Sequence, residues 1–177
     1  WDIAISNATT HSLSNLTINT AYNVSIATVC GSDTSIYANF YFVTPCADIT
    51  IPYTQNFDAV SGFPTCWTRK QGATNPATST SYLVSSPNSL YFYASGTYQY
   101  AATPPVDINV AMNTLQVTFK QYRTTSTYTG IKVGVMTDPN NMATFEQIGN
   151  TVTTSALSTW EDKIVLLNSY TGTGRYI

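Results

Sequence analysis

The clearest pattern in this chain is a strict alternation of apolar and polar residues between positions 115 and 137. The apolar positions of its first half are Leu115, Val117 and Phe119, and the positions between and after them are Gln116, Thr118, Lys120 and Tyr122. After a polar break at residues 124–127, the alternation returns with Ile131, Val133 and Val135. A period of two predicts antiparallel strands with one face on a core and the other open to solvent.

The remainder of the chain shows the same pattern in shorter runs. Strand candidates lie at 10–13, 22–30 and 37–44, and then near 51–57, 65–69, 89–94, 98–102, 115–123, 130–137, 144–149 and 160–167. Turn-forming Gly, Pro, Asn and Ser residues separate nearly all of these runs, as in antiparallel sandwiches. No apolar run approaches the ~20 residues of a membrane-spanning helix. The sequence therefore predicts an all-β chain with no membrane span.

A short motif near the amino terminus resembles the end of a fibronectin type III domain. Leu16, and then Thr20 two residues before Tyr22, match that family's tyrosine corner, although Ile18 stands where the family often has Pro. Such a domain has about seven strands, and residues 1–45 supply only the last few. The resemblance implies a partial fibronectin type III sandwich at 1–45, with uncovered apolar strand faces. The alternative is one larger sandwich that includes the rest of the chain.

Four further motifs resemble MAM-like or cleaved-adhesin jelly-roll domains, such as those that follow fibronectin type III repeats in surface and secreted proteins of Bacteroidetes. They are IPYTQNFD at 51–58, FPTCW at 63–67, SLYF at 89–92 and VGVMTDP at 133–139. The resemblance implies that residues 46–177 form an antiparallel jelly-roll β-sandwich, with further strands expected beyond Ile177. It also implies an extracellular or cell-surface location, with neighbouring domains of the same chain as partners.

The chain has three cysteines, at positions 30, 46 and 66. If residues 22–44 form a hairpin, Cys30 lies near its turn and Cys46 beyond its open end, roughly 33 Å away by the rise of a strand. A disulfide tolerates a Cα separation of only ~7 Å. We therefore expect Cys46 to pair with Cys66, in an oxidising compartment, and Cys30 to be a buried thiol or to be partnered elsewhere. Three reduced thiols are the alternative.

Charged residues make up only 9% of the chain and the formal net charge is -2, whereas roughly 25% of an ordinary soluble domain is charged. Hydroxyl and amide groups therefore supply most of the polar surface. No basic cluster is present to neutralise phosphates, and this argues against nucleic acid as a partner.

Catalytic chemistry has little support in the sequence. His11 is the single histidine, and no G-x-S-x-G turn is present to carry a nucleophilic serine. Glu161 and Asp162 are adjacent on a predicted strand, so they should point to opposite faces and cannot act as a glycosidase pair. The chain is therefore predicted not to be an enzyme.

Calcium is the one cofactor that the resemblance leaves open, since related adhesin-type jelly rolls often bind it near their terminal strands. Asp58 is the candidate ligand, together with backbone carbonyls and a carboxylate from beyond Ile177. The alternative for Asp58 is an ordinary solvated turn residue.

A cluster of tyrosines is the candidate binding site. If 89–94 and 98–102 form a hairpin, Tyr93 opposes Tyr98 and Tyr91 opposes Tyr100, which places all four rings on one face. Leu90 and Phe92 would then face the core. Flat rings with polar tips suit a glycan or a protein on the host or bacterial surface, although tyrosine pairs also simply stabilise sheets.

These observations lead to two functional hypotheses. The first is a non-catalytic extracellular adhesion or display module of a large multi-domain bacterial surface protein. The second is a carbohydrate-binding accessory module of a secreted glycosidase or peptidase whose catalytic domain lies outside this sequence. Exposed tyrosines in a groove would favour sugar binding, whereas buried tyrosines would favour a spacer or adhesin.

Overall fold

The computed structural model describes residues 10–59, 62–70, 76–93, 99–127 and 130–177. Regular structure within these ranges consists of twelve β-strands and two short 3-10 helices. The predicted all-β class is therefore confirmed. The described residues divide into two compact units, of which one ends at Ala47 and the other begins at Asp48, close to the predicted boundary between 45 and 46.

The first unit contains two antiparallel strand pairs. Its strands are β1 (Ala21–Ile26), β2 (Val29–Cys30), β3 (Asp33–Thr34) and β4 (Ala38–Val43). β1 pairs with β4 from Ala21 opposite Val43 to Ile26 opposite Ala38, and β2 pairs with β3 across a tight turn. The strand predicted at 10–13 is wrong, since those residues form no strand in the structure.

Tyr22 organises the corner at which β1 begins. Its hydroxyl accepts a hydrogen bond from the Thr17 backbone N–H at 2.8 Å, and its ring stacks on Phe42 of β4 with the ring centroids 5.8 Å apart. Farther along the same side, Ile26 and Phe40 are both 57% exposed. The unit therefore leaves part of an apolar strand face open to solvent.

The second unit is built from four antiparallel strand pairs. Its strands are β5 (Thr68–Lys70), β6 (Ala77–Ser79), β7 (Ser89–Tyr91), β8 (Tyr100–Ala102), β9 (Gln116–Gln121), β10 (Gly134–Val135), β11 (Glu146–Gln147) and β12 (Glu161–Leu166). The pairs are β5 with β8, β6 with β7, β9 with β12 and β10 with β11. Because these sheets are small and not closed, the jelly-roll topology stays a prediction.

The strand predicted at 51–57 is wrong, and local hydrogen bonds explain why. Pro52 has no N–H to donate to a neighbouring strand. The Phe57 N–H donates to Gln55 Oε1 at 2.7 Å, and the Asp58 N–H donates to Asn56 Oδ1 at 3.1 Å. Side chains thus satisfy the backbone donors that a strand ladder would otherwise use.

The core of the second unit is formed by residues between Val106 and Tyr170. Its buried members are Val106, Met112, Val135, Ile148, Val165, Leu167 and Tyr170. The Tyr170 hydroxyl accepts a hydrogen bond from the Gly174 N–H at 2.6 Å, and a Cβ at Gly174 would lie only 2.7 Å from that hydroxyl. The small residue therefore lets the end of the chain pack on the core.

β9 and β12 pair over six residues, from Gln116 opposite Leu166 to Gln121 opposite Glu161. Val117 and Phe119 pack against the core cluster. We call the opposite side the outer face; its exposed residues are Gln116, Thr118 and Lys120 of β9 and Asp162, Ile164 and Leu166 of β12. The alternation predicted for β9 is confirmed, and it leaves one broad surface of this sheet in solvent.

Candidate functional site

Two large aromatic side chains lie at one end of the outer face. Tyr122 follows β9 and Trp160 precedes β12, each by one residue. Continuing the register of β9 and β12 by one step places these residues opposite each other, on the side of Lys120 and Asp162. Their ring centroids are 5.2 Å apart, with the planes tilted by 50°. The pair is half-buried, so the rings are held in place and still reach solvent.

Tyr82 extends this pair to three rings. It lies in the connection between β6 and β7, and its ring stacks on Tyr122 with the centroids 4.8 Å apart and the planes 25° from parallel. Tyr82 is 52% exposed. We call Tyr82, Tyr122 and Trp160 the aromatic row. Each ring of the row contacts the next.

The backbone at Tyr82 is strained. Its φ of +56° falls in the left-handed region, which costs an ordinary L-residue roughly 1–2 kcal/mol. Such conformations persist where the surroundings impose them, and they concentrate at binding and catalytic sites. Positive φ values also occur at Phe57, Cys66 and Ser158, so Tyr82 is one of several residues in this conformation.

A charged pair lies beside the aromatic row on the outer face. Lys120 Nζ and Asp162 Oδ1 are 2.7 Å apart. Lys120 is the outward residue of β9 nearest to Tyr122, and Asp162 is the outward residue of β12 nearest to Trp160. Their side chains are 45% and 79% exposed, respectively. The pair can thus donate and accept hydrogen bonds to a ligand that contacts the rings, and it adds no net charge.

Glu161 fixes the loop that leads to Trp160. Its carboxylate accepts hydrogen bonds from the Ser155 N–H at 2.7 Å, the Ser155 hydroxyl at 2.8 Å and the Ala156 N–H at 3.1 Å. It also pairs with Lys163 Nζ at 2.7 Å. The bond from Lys163, and then those from Ser155 and Ala156, lower the pKa of Glu161 to about 2. The carboxylate is therefore ionised at neutral pH and holds the loop as an acceptor.

The inner side of the same strand end carries buried polar contacts. Gln121 is 5% exposed, and its Nε2 donates to the Val152 carbonyl at 3.2 Å. The Arg123 guanidinium donates to the Thr154 carbonyl at 3.1 Å, while the Arg123 carbonyl accepts from the Ser158 N–H at 2.8 Å. These bonds attach the segment before Trp160 to the end of β9.

The predicted tyrosine hairpin is only partly reproduced. Tyr91 and Tyr93 are exposed on the same side, with stacked rings whose centroids are 6.3 Å apart. Leu90 and Phe92 are half-buried, in agreement with their predicted direction, although neither belongs to the buried core cluster.

The predicted pairing of Tyr91 with Tyr100 is wrong. Tyr91 lies opposite Ala77 and Tyr100 lies opposite Lys70, in two different sheets. The Tyr100 hydroxyl donates to the Pro139 carbonyl at 3.0 Å. Burial, and then the nearby Asp138 carboxylate, raise the pKa of Tyr100.

Tyr98 lies outside the described residues, so its predicted place opposite Tyr93 stays a prediction. Gln99 is next to it in the chain, and the Tyr93 N–H donates to Gln99 Oε1 at 3.0 Å. Residues 93 and 99 are therefore neighbours, joined by a side chain.

Asp58 lies in a polar turn. Its Oδ2 accepts from Asn56 Nδ2 at 2.9 Å, and the neighbouring Phe57 carbonyl accepts from Asn88 Nδ2 at 3.3 Å. Calcium requires six to eight oxygen ligands, whereas no group of three or more His, Cys, Asp or Glu side chains occurs in the described parts of the chain. The calcium site at Asp58, which also invokes backbone carbonyls, stays a prediction.

The predicted Cys46–Cys66 disulfide is confirmed. Cys30 is a free thiol in the β2–β3 hairpin, where it is exposed. Its predicted burial is therefore wrong, because that part of the hairpin does not pack on an apolar layer. Glu161 and Asp162 point to opposite sides of β12, as predicted, and each forms its own ion pair.

Comparison of the chain with protein family models, with curated proteins and with solved structures finds no match. Over the described residues, no helix has the length and apolarity needed to cross a membrane. The geometry of the outer face and the aromatic row is therefore the basis for any functional assignment.

The sequence reasoning did not identify the aromatic row. A signal for one of its three rings was available, because the alternation of β9 placed Tyr122 on the side of Lys120. Trp160 begins the strand predicted at 160–167. The alternation along that strand places Trp160 on the same side as Asp162. Tyr82 had no comparable signal, since no strand pattern surrounds it.

Proposed function

We propose that this chain is a non-catalytic, glycan-binding adhesion module of an extracellular bacterial surface protein. The observation that carries the proposal is the aromatic row of Tyr82, Tyr122 and Trp160. Aromatic rings offer flat apolar faces together with polar edges, which suits the alternating C–H and hydroxyl surfaces of a sugar.

The surroundings of the row favour a sugar over a nucleic acid. Nucleobases also stack on aromatic platforms, but proteins that bind them surround the rings with cationic groups that contact phosphates. Here Lys120 is paired with Asp162, and Lys163 is paired with Glu161. These two lysines near the row are thus each paired with a carboxylate.

Two observations support the extracellular part of the proposal. The Cys46–Cys66 disulfide is typical of oxidising compartments. The bond from the Thr17 N–H to the Tyr22 hydroxyl has the form of a tyrosine corner, in which a tyrosine hydroxyl bonds to backbone a few residues upstream. This contact supports the resemblance of residues 1–45 to fibronectin type III repeats, which occur in tandem with other domains on cell surfaces.

The same row is equally compatible with a carbohydrate-binding accessory module of a secreted glycosidase or peptidase. The two roles share one binding chemistry and differ in the domains that accompany this one. Tyr91 and Tyr93, which are stacked and exposed, are proposed as a smaller second contact surface in either role.

A glycan array tests the proposal. The wild-type chain should be retained on a defined subset of glycans, and Trp160→Leu, which keeps apolar bulk but removes the flat ring, should lose that retention. Tyr41→Ala removes a 73% exposed tyrosine of β4 and is the matched control, which should bind as the wild type does. Equal retention of the wild type and Trp160→Leu would contradict the proposal.

A further inference from the structure

We infer that the ligand is an uncharged, extended polysaccharide that lies lengthwise along the outer face of β9 and β12, from the aromatic row across the Lys120–Asp162 pair to Ile164. This inference rests on the proposed function and specifies the class of glycan. It comes from three features of the outer face: its shape, its charge and its apolar content.

The outer face carries a shallow trough that begins at Lys120 and Asp162, next to the aromatic row, and does not include the rings themselves. A depression of about 390 Å³ is lined by Thr118, Phe119, Lys120, Asp162, Lys163 and Ile164. Tyr122 to Thr118 spans four strand residues, or roughly 13 Å. An elongated surface of this kind contacts several successive sugar units, whereas a monosaccharide would be held by the rings alone.

The charge of this trough favours an uncharged ligand. Lys120 and Asp162 present an ammonium and a carboxylate 2.7 Å apart, on side chains that both reach solvent. A sugar hydroxyl can donate to the carboxylate and accept from the ammonium at the same time. An anionic sugar would instead be repelled by Asp162, and a cationic one by Lys120, so a charged ligand has to break the pair before it gains a partner.

The far end of the face adds exposed apolar surface. Ile164 is 65% exposed and Leu166 is 53% exposed, and both are outward positions of β12. Contiguous exposed apolar surface on a soluble protein is typical of an interaction site. The C–H faces of a polysaccharide provide a matching apolar surface, and this continues the contact that begins on the rings.

Affinity electrophoresis of the full chain tests the inference with paired polymers. Hydroxyethylcellulose, xylan and galactomannan are the uncharged probes, and carboxymethylcellulose and polygalacturonate are the anionic ones. The wild type should be retarded by at least one uncharged polymer and not by the anionic ones. Titration with the matching oligosaccharides should show affinity rising with length beyond the disaccharide.

The decisive variant is Asp162→Lys, which makes the trough cationic. It should bind the uncharged polymer roughly tenfold more weakly and should gain retardation by the anionic polymers. Glu146→Lys makes the same charge change at an exposed residue of β11 and should behave as the wild type. Circular dichroism melts check that both variants are folded.

The outcomes separate the inference from the proposed function. If anionic polymers retard the wild type as strongly as uncharged polymers do, the inference is overturned, while the proposal of glycan binding stands. Affinity that does not change with oligosaccharide length would also overturn it, because the rings alone would then suffice. Binding to no glycan in the electrophoresis or on the array, or binding only to a protein, would overturn both.

Discussion

Tyr122 and Trp160 lie one residue beyond the paired ends of β9 and β12, and their rings contact each other with centroids 5.2 Å apart. The ladder thus fixes both side chains, because its inner residues pack on the core of the second unit. Tyr82 completes the row from a separate loop. Rings that already contact one another lose less conformational entropy when a ligand binds.

Tyr82 should be important for binding but not for stability. Replacing it with Asn removes the ring stacked on Tyr122, which is worth about 0.5–1.5 kcal/mol. The change also relieves a left-handed backbone that Asn tolerates, and that relief is worth about 1 kcal/mol. Tyr82→Asn should therefore have a free energy of unfolding within about 1 kcal/mol of the wild type, as measured by urea denaturation.

The binding of Tyr82→Asn should fall despite its unchanged stability. A change in denaturation midpoint as large as that of a core substitution would show that Tyr82 is structural. Its strained backbone would then need an explanation within the fold.

Glu161 should give the chain an acid-dependent stability. Its pKa is lowered to about 2 in the folded state, whereas an unfolded glutamate titrates near its ordinary value of about 4.3. The stabilisation is present above that ordinary value and is lost as the pH falls toward 2, because protons bind the unfolded chain first. Glu161→Gln should therefore show a shallower loss of stability over this pH range.

Urea denaturation of the wild type and of Glu161→Gln at several pH values between 6 and 2 measures this difference. Asp162→Asn is a suitable control, since Asp162 is an exposed neighbour on the opposite side of β12. Identical pH profiles for the wild type and Glu161→Gln would contradict the role of Glu161 in holding the loop at Ser155.

The Cys46–Cys66 disulfide should stabilise the folded chain. Replacing both cysteines with Ser releases a loop whose closure is worth roughly 3 kcal/mol by the chain-entropy estimate. Cys30→Ser should change stability by less than about 0.5 kcal/mol, since that thiol is exposed and free. Denaturation of both variants measures the difference, and peptide mapping without reduction checks the pairing. A bond from Cys30 to either partner would contradict it.

Residues 1–45 should not fold when expressed alone. Part of the apolar face of β1 and β4 is open, with Ile26 and Phe40 both 57% exposed, and an isolated pair of strands is marginally stable at best in water. Circular dichroism should show no cooperative melt for this peptide. A cooperative transition would mean that the first unit is complete within these residues.

The alternation of apolar and polar residues predicted which side of a strand each residue occupies. The alternation of Val117 and Phe119 with Lys120 and Tyr122 placed the two faces of β9 correctly, because a pleated strand necessarily points successive residues to opposite sides. β6 was missed because its residues 77–79 lie in a run of Thr and Ser without apolar alternation. Hydroxyl-rich runs form strands or loops according to what packs on them.

Pairing between distant segments was the part that could not be predicted. Tyr91 and Tyr100 were predicted to lie opposite each other because only a short segment joins their strands. In the structure, β7 pairs with β6 and β8 pairs with β5. The contact between Tyr82 and Tyr122 is also non-local. Periodicity reports which face a residue occupies and gives no information about the partner across the sheet.

The most direct test of the central claim is isothermal titration of an uncharged polysaccharide selected by electrophoresis. The titration compares the wild type, Tyr82→Asn and the double variant Tyr91→Ala/Tyr93→Ala. Urea denaturation checks that all three are folded under the conditions of the titration. If the aromatic row is the binding site, Tyr82→Asn should bind roughly tenfold more weakly, while the Tyr91 and Tyr93 variant keeps most of the affinity. Wild-type affinity in Tyr82→Asn, together with loss of binding in the Tyr91 and Tyr93 variant, would contradict the account and place the site on Tyr91 and Tyr93.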